Sequence, residues 1–249
     1  MAEAMYWQKS RSVAGQTFDS TFFSCYNVCI MKIQNALYIM NIDILEDLVQ
    51  FDLWYDKMPD FRKRKIDALK PHRSKLLSLG AGMLLDKALK DIGIDDYEIE
   101  LDEHEKPHIK GRGDAFFNIS HSGEMVVLGI SDKEIGVDVE KVKHFKESLI
   151  NYVFMPQDQD LAKELAMSES NMDKVYTRLW TVKESIMKYS GKGISLSPKN
   201  ILLRLEDGKI KASSAACDCE ALNLMPYEID DYQITICSEY EDFTLLKPF

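Results

Sequence analysis

No apolar run in the 249-residue chain approaches the roughly 20 residues needed to span a bilayer. Positive charge is in deficit: 31 Lys and Arg stand against 41 Asp and Glu, a formal net charge of −10. A general nucleic-acid binder carries the opposite sign, so any anionic ligand must be met by a local basic patch. Cysteine is sparse and odd in number, with only Cys25, Cys29, Cys217, Cys219 and Cys237. The set fits free thiols in a reducing cytoplasm. Cys25-x3-Cys29 and Cys217-x-Cys219 depart from the C-x2-C spacing of zinc sites, and no histidine cluster accompanies them. Repeats, low-complexity tracts and Gly/Ser linkers are missing too. Near the start no basic segment precedes an apolar run, so no secretory signal is read. Residues 1–30 are expected to be a loose extension, or an upstream start codon taken in error, ahead of a first strand at Leu37–Ile42.

At 45% hydrophobic residues, the chain can bury a core as one large domain or as two halves of about 100 residues. Asp43 can cap a helix running towards Asp52, with further helices over Pro59–Lys70 and His72–Ile92. Gly80 and Gly82 inside the last cost about 1 kcal/mol each against alanine, which points to close backbone packing. Strand-rich pattern follows at Phe116–Ile119, Met125–Ser131 and Glu134–Val139, with His-Ser-Gly read as the first turn. Helical pattern returns at Lys146–Phe154, Gln157–Ala166 and Met172–Ser190, and the tail offers strands near Ile201–Leu205, Tyr232–Cys237 and Phe243–Leu246. The class is mixed α/β (α+β) with substantial antiparallel sheet.

In Ile135-Gly-Val-Asp-Val-Glu140, period two buries Ile135, Val137 and Val139 and projects Asp138 and Glu140 from the other face. Two readings fit: a solvated strand face, or a pair of carboxylates relieved by a proton or by a hard cation such as Mg²⁺. On the helix over Met172–Ser190, Val175, Leu179, Val182, Ile186 and Tyr189 form a core stripe. Trp180, Glu184 and Lys188 share a second stripe at i, i+4, i+8, with Lys183 beside them. Alone this is a surface ion pair worth about half a kcal/mol. Facing the Asp138/Glu140 strand, it would complete a three-carboxylate metal site with lysines for phosphate.

FNISHSG (Phe117–Gly123), GVDVE and WTVKESIMKYSGKGIS together resemble the signature of the 4′-phosphopantetheinyl transferases, specifically the larger Sfp-type enzymes. Glu105-Lys106-Pro107 is similar to that family's G-K-P segment, with Glu in place of Gly, and RSKLLSLGAGMLL (Arg73–Leu85) to its N-terminal helix motif. The resemblance implies transfer of phosphopantetheine from coenzyme A to a serine of an apo acyl or peptidyl carrier protein, with release of 3′,5′-ADP. It implies Mg²⁺ held by Asp138, Glu140 and Glu184, with Glu184 also taking the serine proton. Ionised carboxylates are weak bases, so that role needs a raised pKa or a water relay. It further implies coenzyme contacts from Lys106, Ser120, His121, Lys183 and Lys188, His121 and Lys188 standing with Glu184 in the catalytic set. The implied fold is a monomeric pseudo-dimer of two similar subdomains, 31–132 and 133–249, with the coenzyme in the cleft between them.

Rival chemistries fare worse. No G-x-S-x-G elbow supports a serine hydrolase at Ser120–His121, and neighbours on a strand point to opposite faces. A metal-dependent nuclease would need a basic groove, which the net charge argues against. A non-catalytic binding relative would have no use for the three carboxylates and their lysines. Outside these motifs, Arg62-Lys-Arg-Lys65 with Lys70, Arg73 and Lys75 is a basic segment in an acidic chain. It reads as a solvated helix face, or as a divided patch. In the second reading Arg73 and Lys75 hold coenzyme phosphates, while Arg62 to Lys65 meet an acidic carrier helix.

Overall fold

The computed structural model describes residues 35–169 and 171–249; the expectation for residues 1–30 lies outside them. In chain order, β1 (Ala36–Asn41) leads to α1 (Leu48–Lys57), α2 (Asp60–Asp67) and α3 (His72–Asp91). A small hairpin, β2 (Ile99–Leu101) and β3 (Pro107–Ile109), precedes β4 (Phe116–Ser122), β5 (Met125–Ser131) and β6 (Ile135–Lys141). Then come α4 (Glu147–Val153), α5 (Pro156–Ala166), α6 (Met172–Tyr189), β7 (Leu202–Glu206), β8 (Lys209–Ser213), β9 (Asn223–Ile229), β10 (Tyr232–Ser238) and β11 (Thr244–Leu246).

One sheet has the order β11-β1-β5-β4, another β6-β10-β9. With β11 set aside, both orders read the same way: first strand, last strand, penultimate strand. A strand–helices–hairpin unit therefore occurs twice, in the mixed α+β class expected. Side-chain alternation then dictates four layers. Ala36, Tyr38 and Met40 of β1 pack with Leu76, Leu79 and Met83 of α3. Leu37 and Ile39 meet Ile135, Val137 and Val139 of β6 and Ile234 and Ile236 of β10 between the sheets. Val175, Leu179, Val182 and Ile186 of α6, the expected stripe, close the far side with Phe145, Phe154 and Leu203. Gly80 and Gly82 do sit in tight packing: an added Cβ would lie 3.1 Å from Ile42 and 2.8 Å from Met58.

Several element ends differ from the expectations. The caps before α1 are Asn41 and Asp47, not Asp43. Asn41 Oδ1 accepts from the Asp43 N–H, and Asp47 Oδ1 accepts from those of Val49 and Gln50, so the helix starts later than expected. His121 is not in a turn. β4 runs on through Ser122, which pairs with Met125, and the reversal falls at Gly123–Glu124, where Gly123 has φ +56°. The short strands β2, β3 and β8, and β9 with Pro226 in its middle, are not among the expected elements.

The two sheets meet edge to edge through side chains. Asn118 Oδ1, Ser120 Oγ and Ser122 Oγ of β4 accept from the backbone N–H groups of Val137 (2.9 Å), Val139 (3.4 Å) and Lys141 (3.2 Å) on β6. Three backbone N–H groups on the edge of β6 are thereby satisfied without a backbone ladder. The same contacts fix β4 beside the carboxylates of β6.

Candidate active site

Gly136 is where the site begins. A Cβ there would lie 2.0 Å from the Ser185 carbonyl oxygen and 2.5 Å from the Tyr189 nitrogen; only glycine lets α6 lie this close to β6. The close approach covers the face that might have been solvated and buries Asp138 at 4% exposure. Asp138 Oδ1 accepts from Lys188 Nζ at 2.7 Å and from the Ser120 hydroxyl at 2.8 Å. Lys188 Nζ also donates to Ser120 Oγ at 2.8 Å. Asp138 Oδ2 is buried with no hydrogen-bond partner among the described residues. Burial raises the Asp138 pKa, against the pull of Lys188 and Ser120.

Glu140, two residues along the same face, is held by three donors. The Trp180 indole reaches Oε1 at 3.2 Å, while the Ser122 hydroxyl (2.9 Å) and Lys143 Nζ (3.1 Å) reach Oε2. Glu184, one helical turn beyond Trp180, has no such partner among the described residues, and its carboxyl is pushed up to about 7. Burial is the largest cause, followed by repulsion from Asp138; Lys188 opposes both, and Glu140 adds a smaller push. The expected stripe of Trp180, Glu184 and Lys188 thus does face the Asp138/Glu140 strand.

The remaining expected site residues divide. His121 lies near Lys188 and Lys65, and its pKa is lowered by desolvation first, then by Lys188 and by Lys65. Ser120 is buried and turned to Asp138 and Lys188. Lys106 Nζ binds Glu134 at 2.6 Å and the Tyr189 carbonyl at 3.2 Å. It lines a cavity of about 310 Å³ with Asp102, Pro107, His108, Phe116 and Phe117. Arg73 packs on the β4–β5 turn, donating to the Gly123 carbonyl and pairing with Glu124; Lys75 is half-buried on α3.

Lys183 is a correction. Its side chain is fully buried and points away from the carboxylates. Nζ donates to Asp158 Oδ2 (2.6 Å) and to the carbonyls of Ile201 (2.7 Å) and Pro198 (2.9 Å), 5.4 Å from the Phe154 ring centre. An ammonium with its donors used inside the core has none left for phosphate. Arg62 is a second correction: it is 8% exposed and packed against Gly82, so it cannot meet a docking partner. Sequence reasoning also missed Ser122 and Lys143, whose only signal was a polar side chain near the motif, and it gave Trp180 no role at Glu140.

Among the described residues, no three His, Cys, Asp or Glu side chains stand as a ready-made metal cage. The donor chemistry nonetheless suits a hard divalent cation. Asp138 keeps one buried oxygen unpaired among the described residues, and burial, then repulsion from Asp138, drives Glu184 towards its protonated form. Mg²⁺ takes one or two carboxylates and completes its shell with water and phosphate, so a closed cage is not required.

Comparison with known proteins decides the family. The family model for the 4′-phosphopantetheinyl transferase superfamily matches residues 134–237, which include Asp138, Glu140, Glu184 and Lys188. A 4′-phosphopantetheinyl transferase of Bacillus subtilis is 31% identical over 169 residues, 66% of this chain and 74% of that protein. The chain belongs to the 4′-phosphopantetheinyl transferase superfamily. Its enzyme class is therefore transferase. The 4′-phosphopantetheinyl transferase Sfp of Bacillus subtilis strain 168 is 32% identical over 59% of this chain and 66% of that protein. HetI, a 4′-phosphopantetheinyl transferase of a Nostoc species, is 27% identical over 50% and 55%.

Proposed function

We propose that this phosphopantetheinyl transferase moves 4′-phosphopantetheine from coenzyme A to a serine hydroxyl of an apo acyl or peptidyl carrier protein, in a Mg²⁺-dependent reaction that releases 3′,5′-ADP. The observation that carries the proposal is the convergence of Asp138, Glu140, Glu184 and Lys188 across the β6–α6 contact, with Asp138 Oδ2 left unpaired. Asp138, Glu140 and Glu184 would hold the ion. Bound there, it would neutralise charge on the pyrophosphate as the phosphoanhydride breaks.

The chain's own groups supply the rest. Lys188, fixed by Ser120 and Asp138, presents its charge to a phosphate oxygen. Glu184, with no hydrogen-bonding partner among the described residues, would take the serine proton directly or through a water relay. The serine oxygen forms the new bond to phosphorus as the bond to the 3′,5′-ADP oxygen breaks. Ser122, Lys143 and Trp180 orient Glu140. The Lys106 cavity, with Phe116 and Phe117 in its wall, suits the adenosine end. His121, its pKa lowered first by burial and then by Lys188 and Lys65, offers a hydrogen bond beside those two lysines.

In this reading residues 31–132 and 133–249 act as two halves of a monomeric pseudo-dimer in the cytoplasm, with the coenzyme in the cleft between them. The repeated strand order of the two sheets supports the division. The test is incubation with coenzyme A, Mg²⁺ and a panel of apo carriers, read by intact mass. A phosphopantetheine adduct on the carrier serine is expected. Coenzyme binding with no adduct on any carrier would sink the assignment.

A further inference from the structure

Far along the chain from the carboxylates, three thiols gather in one place. Cys219 and Cys237 are buried and Cys217 is half-buried, all three free and all in the apolar cluster under α6. The Cys217 and Cys219 side chains hydrogen-bond to one another. Cys217 also lines a surface cavity of about 510 Å³ with Lys192, Ser214, Asp218 and Glu220, so a small molecule can reach it.

Backbone context separates the candidates for pairing. Cys237 lies on β10, which is bonded along its length to β6 on one side and β9 on the other, and it has no freedom to turn. Residues 214–219 form an irregular connection between β8 and β9, where the chain can adapt to the narrow geometry a disulfide demands. Desolvation raises the thiols of Cys219 and Cys237 above their ordinary values. Cys219 and Cys237 are buried, so the first attack on a small disulfide falls to Cys217, which lines the surface cavity.

We propose that Cys217 and Cys219 form a thiol-modification site that exchanges with low-molecular-weight disulfides of the glutathione class and closes to a reversible Cys217–Cys219 disulfide. Cys217 sulfur attacks the small disulfide, forming a mixed disulfide and expelling one small thiolate. Cys219 sulfur then attacks Cys217 sulfur and expels the second. Two protein thiols are oxidised, one small disulfide is reduced to two thiols, and the two protein protons end on those thiols.

The loop is connected to the coenzyme seat. Lys192 Nζ donates to the Ala216 carbonyl at 2.5 Å, and a Cβ on the adjoining Gly191 would lie 3.8 Å from Lys106 and 3.9 Å from Asp102. Tightening 217–219 pulls on Ala216 and hence on the segment that backs Lys106. The effect on coenzyme affinity rests on the transferase reading; the chemistry at the thiols does not.

The experiment treats the full chain with glutathione disulfide, blocks residual thiols with an alkylating agent and maps peptides by mass. The peptide holding Cys217 and Cys219 is expected to lose two hydrogens, and dithiothreitol to restore them. Cys219→Ser should trap glutathione on Cys217, and Cys217→Ser should leave Cys219 a free thiol. In the wild type, KM for coenzyme A should rise about 2- to 5-fold on oxidation, a modest coupling through packed neighbours, with kcat unchanged and no rise in Cys217→Ser. Both thiols staying alkylatable would overturn the site, as would a disulfide that includes Cys237 or oxidation of Cys219 in the Cys217→Ser chain. A disulfide without a change in KM would overturn the coupling to the coenzyme seat. A chain that transfers nothing in either redox state would overturn the transferase reading, leaving the mass result to decide the site.

Discussion

Lys188 and Asp138 face each other across the β6–α6 contact at 2.7 Å, and the second oxygen of Asp138 has no partner among the described residues. An ammonium satisfies one half of the carboxylate, and the other half remains for a ligand the protein does not itself provide. Asp138→Asn keeps the shape and removes the charge at the point where phosphate charge builds. Transfer should fall about 10²–10³-fold, as for other single electrostatic groups, with the melting temperature nearly unchanged. Activity close to wild type, measured by carrier intact mass, would remove Asp138 from the mechanism.

Glu184 makes the protein's pH dependence specific. Its ordinary value of 4.5 is raised to about 7 in the fold, so the folded state binds that proton more tightly than the unfolded chain does. The resulting stabilisation is full below about pH 4.5 and is lost as pH climbs through about 7. Without a divalent ion, Glu184→Gln should therefore gain melting temperature relative to wild type at pH 8, and the gain should shrink towards pH 5. Mg²⁺ should stabilise the wild type more at pH 8 than at pH 6, because binding must displace the proton. Calorimetric melts at the two pH values, with and without Mg²⁺, check both statements; identical profiles for the two chains would contradict the raised carboxyl.

Gly136→Ala is expected to be severe for a geometric reason. The new methyl would meet backbone, the Ser185 carbonyl at 2.0 Å and the Tyr189 nitrogen at 2.5 Å, and backbone cannot step aside as a side chain can. A loss of about 2–4 kcal/mol in denaturant melts is expected, with transfer lost as Glu184 and Lys188 shift. Gly129→Ala is the control: its neighbours are side-chain carbons of Val137 and Ile135 rather than backbone, so it should cost less. An equal cost at the two positions would rule out the backbone clash as the cause.

How far the sequence could be read depends on whether the decisive contact was local. The α6 core stripe and the alternation of β6 are periodic signals, and both placed Glu184, Lys188, Asp138 and Glu140 on the right faces. Lys183 was misplaced because its anchor, Asp158, is 25 residues away on α5; nothing within one helical turn distinguishes a buried lysine from a phosphate-binding one. His121 was read as a turn residue because Ser-Gly is a turn signal, yet the pairing of Ser122 with Met125 extends the strand past it. Arg62 looked like its neighbours in the basic run and became distinct only when Gly82 on α3 opened a slot for it.

Lys183 and Asp158 form an ion pair with both side chains fully buried. Removing one partner of a fully buried ion pair strands the other charge, at a cost of about 3–5 kcal/mol. Lys183→Ala should therefore lower stability by that order, while the fraction that remains folded binds coenzyme A with wild-type affinity. Asp158→Asn should lose stability in the same way, although it lies on another helix. A stable Lys183→Ala chain with weakened coenzyme binding would restore the phosphate-binding role.

The basic segment 62–65 no longer acts as one patch. Arg62 is buried, and desolvation lowers its pKa, so Arg62→Glu should compromise folding rather than docking. Lys65 is near enough to His121 to help lower its pKa, which puts its charge on the coenzyme side of the molecule. Lys65→Glu should therefore raise KM for coenzyme A about fivefold, equivalent to about 1 kcal/mol for one solvent-screened contact, with KM for the carrier little changed. Arg64 is exposed and unpaired among the described side chains, so it keeps the carrier-docking expectation. Attraction of that kind acts on encounter rate and fades over a Debye length of about 8–10 Å. Arg64→Glu should raise carrier KM at low salt and flatten its salt dependence, leaving KM for coenzyme A as it was. Carrier kinetics that respond to Lys65 and not to Arg64 would reverse the division of labour drawn here.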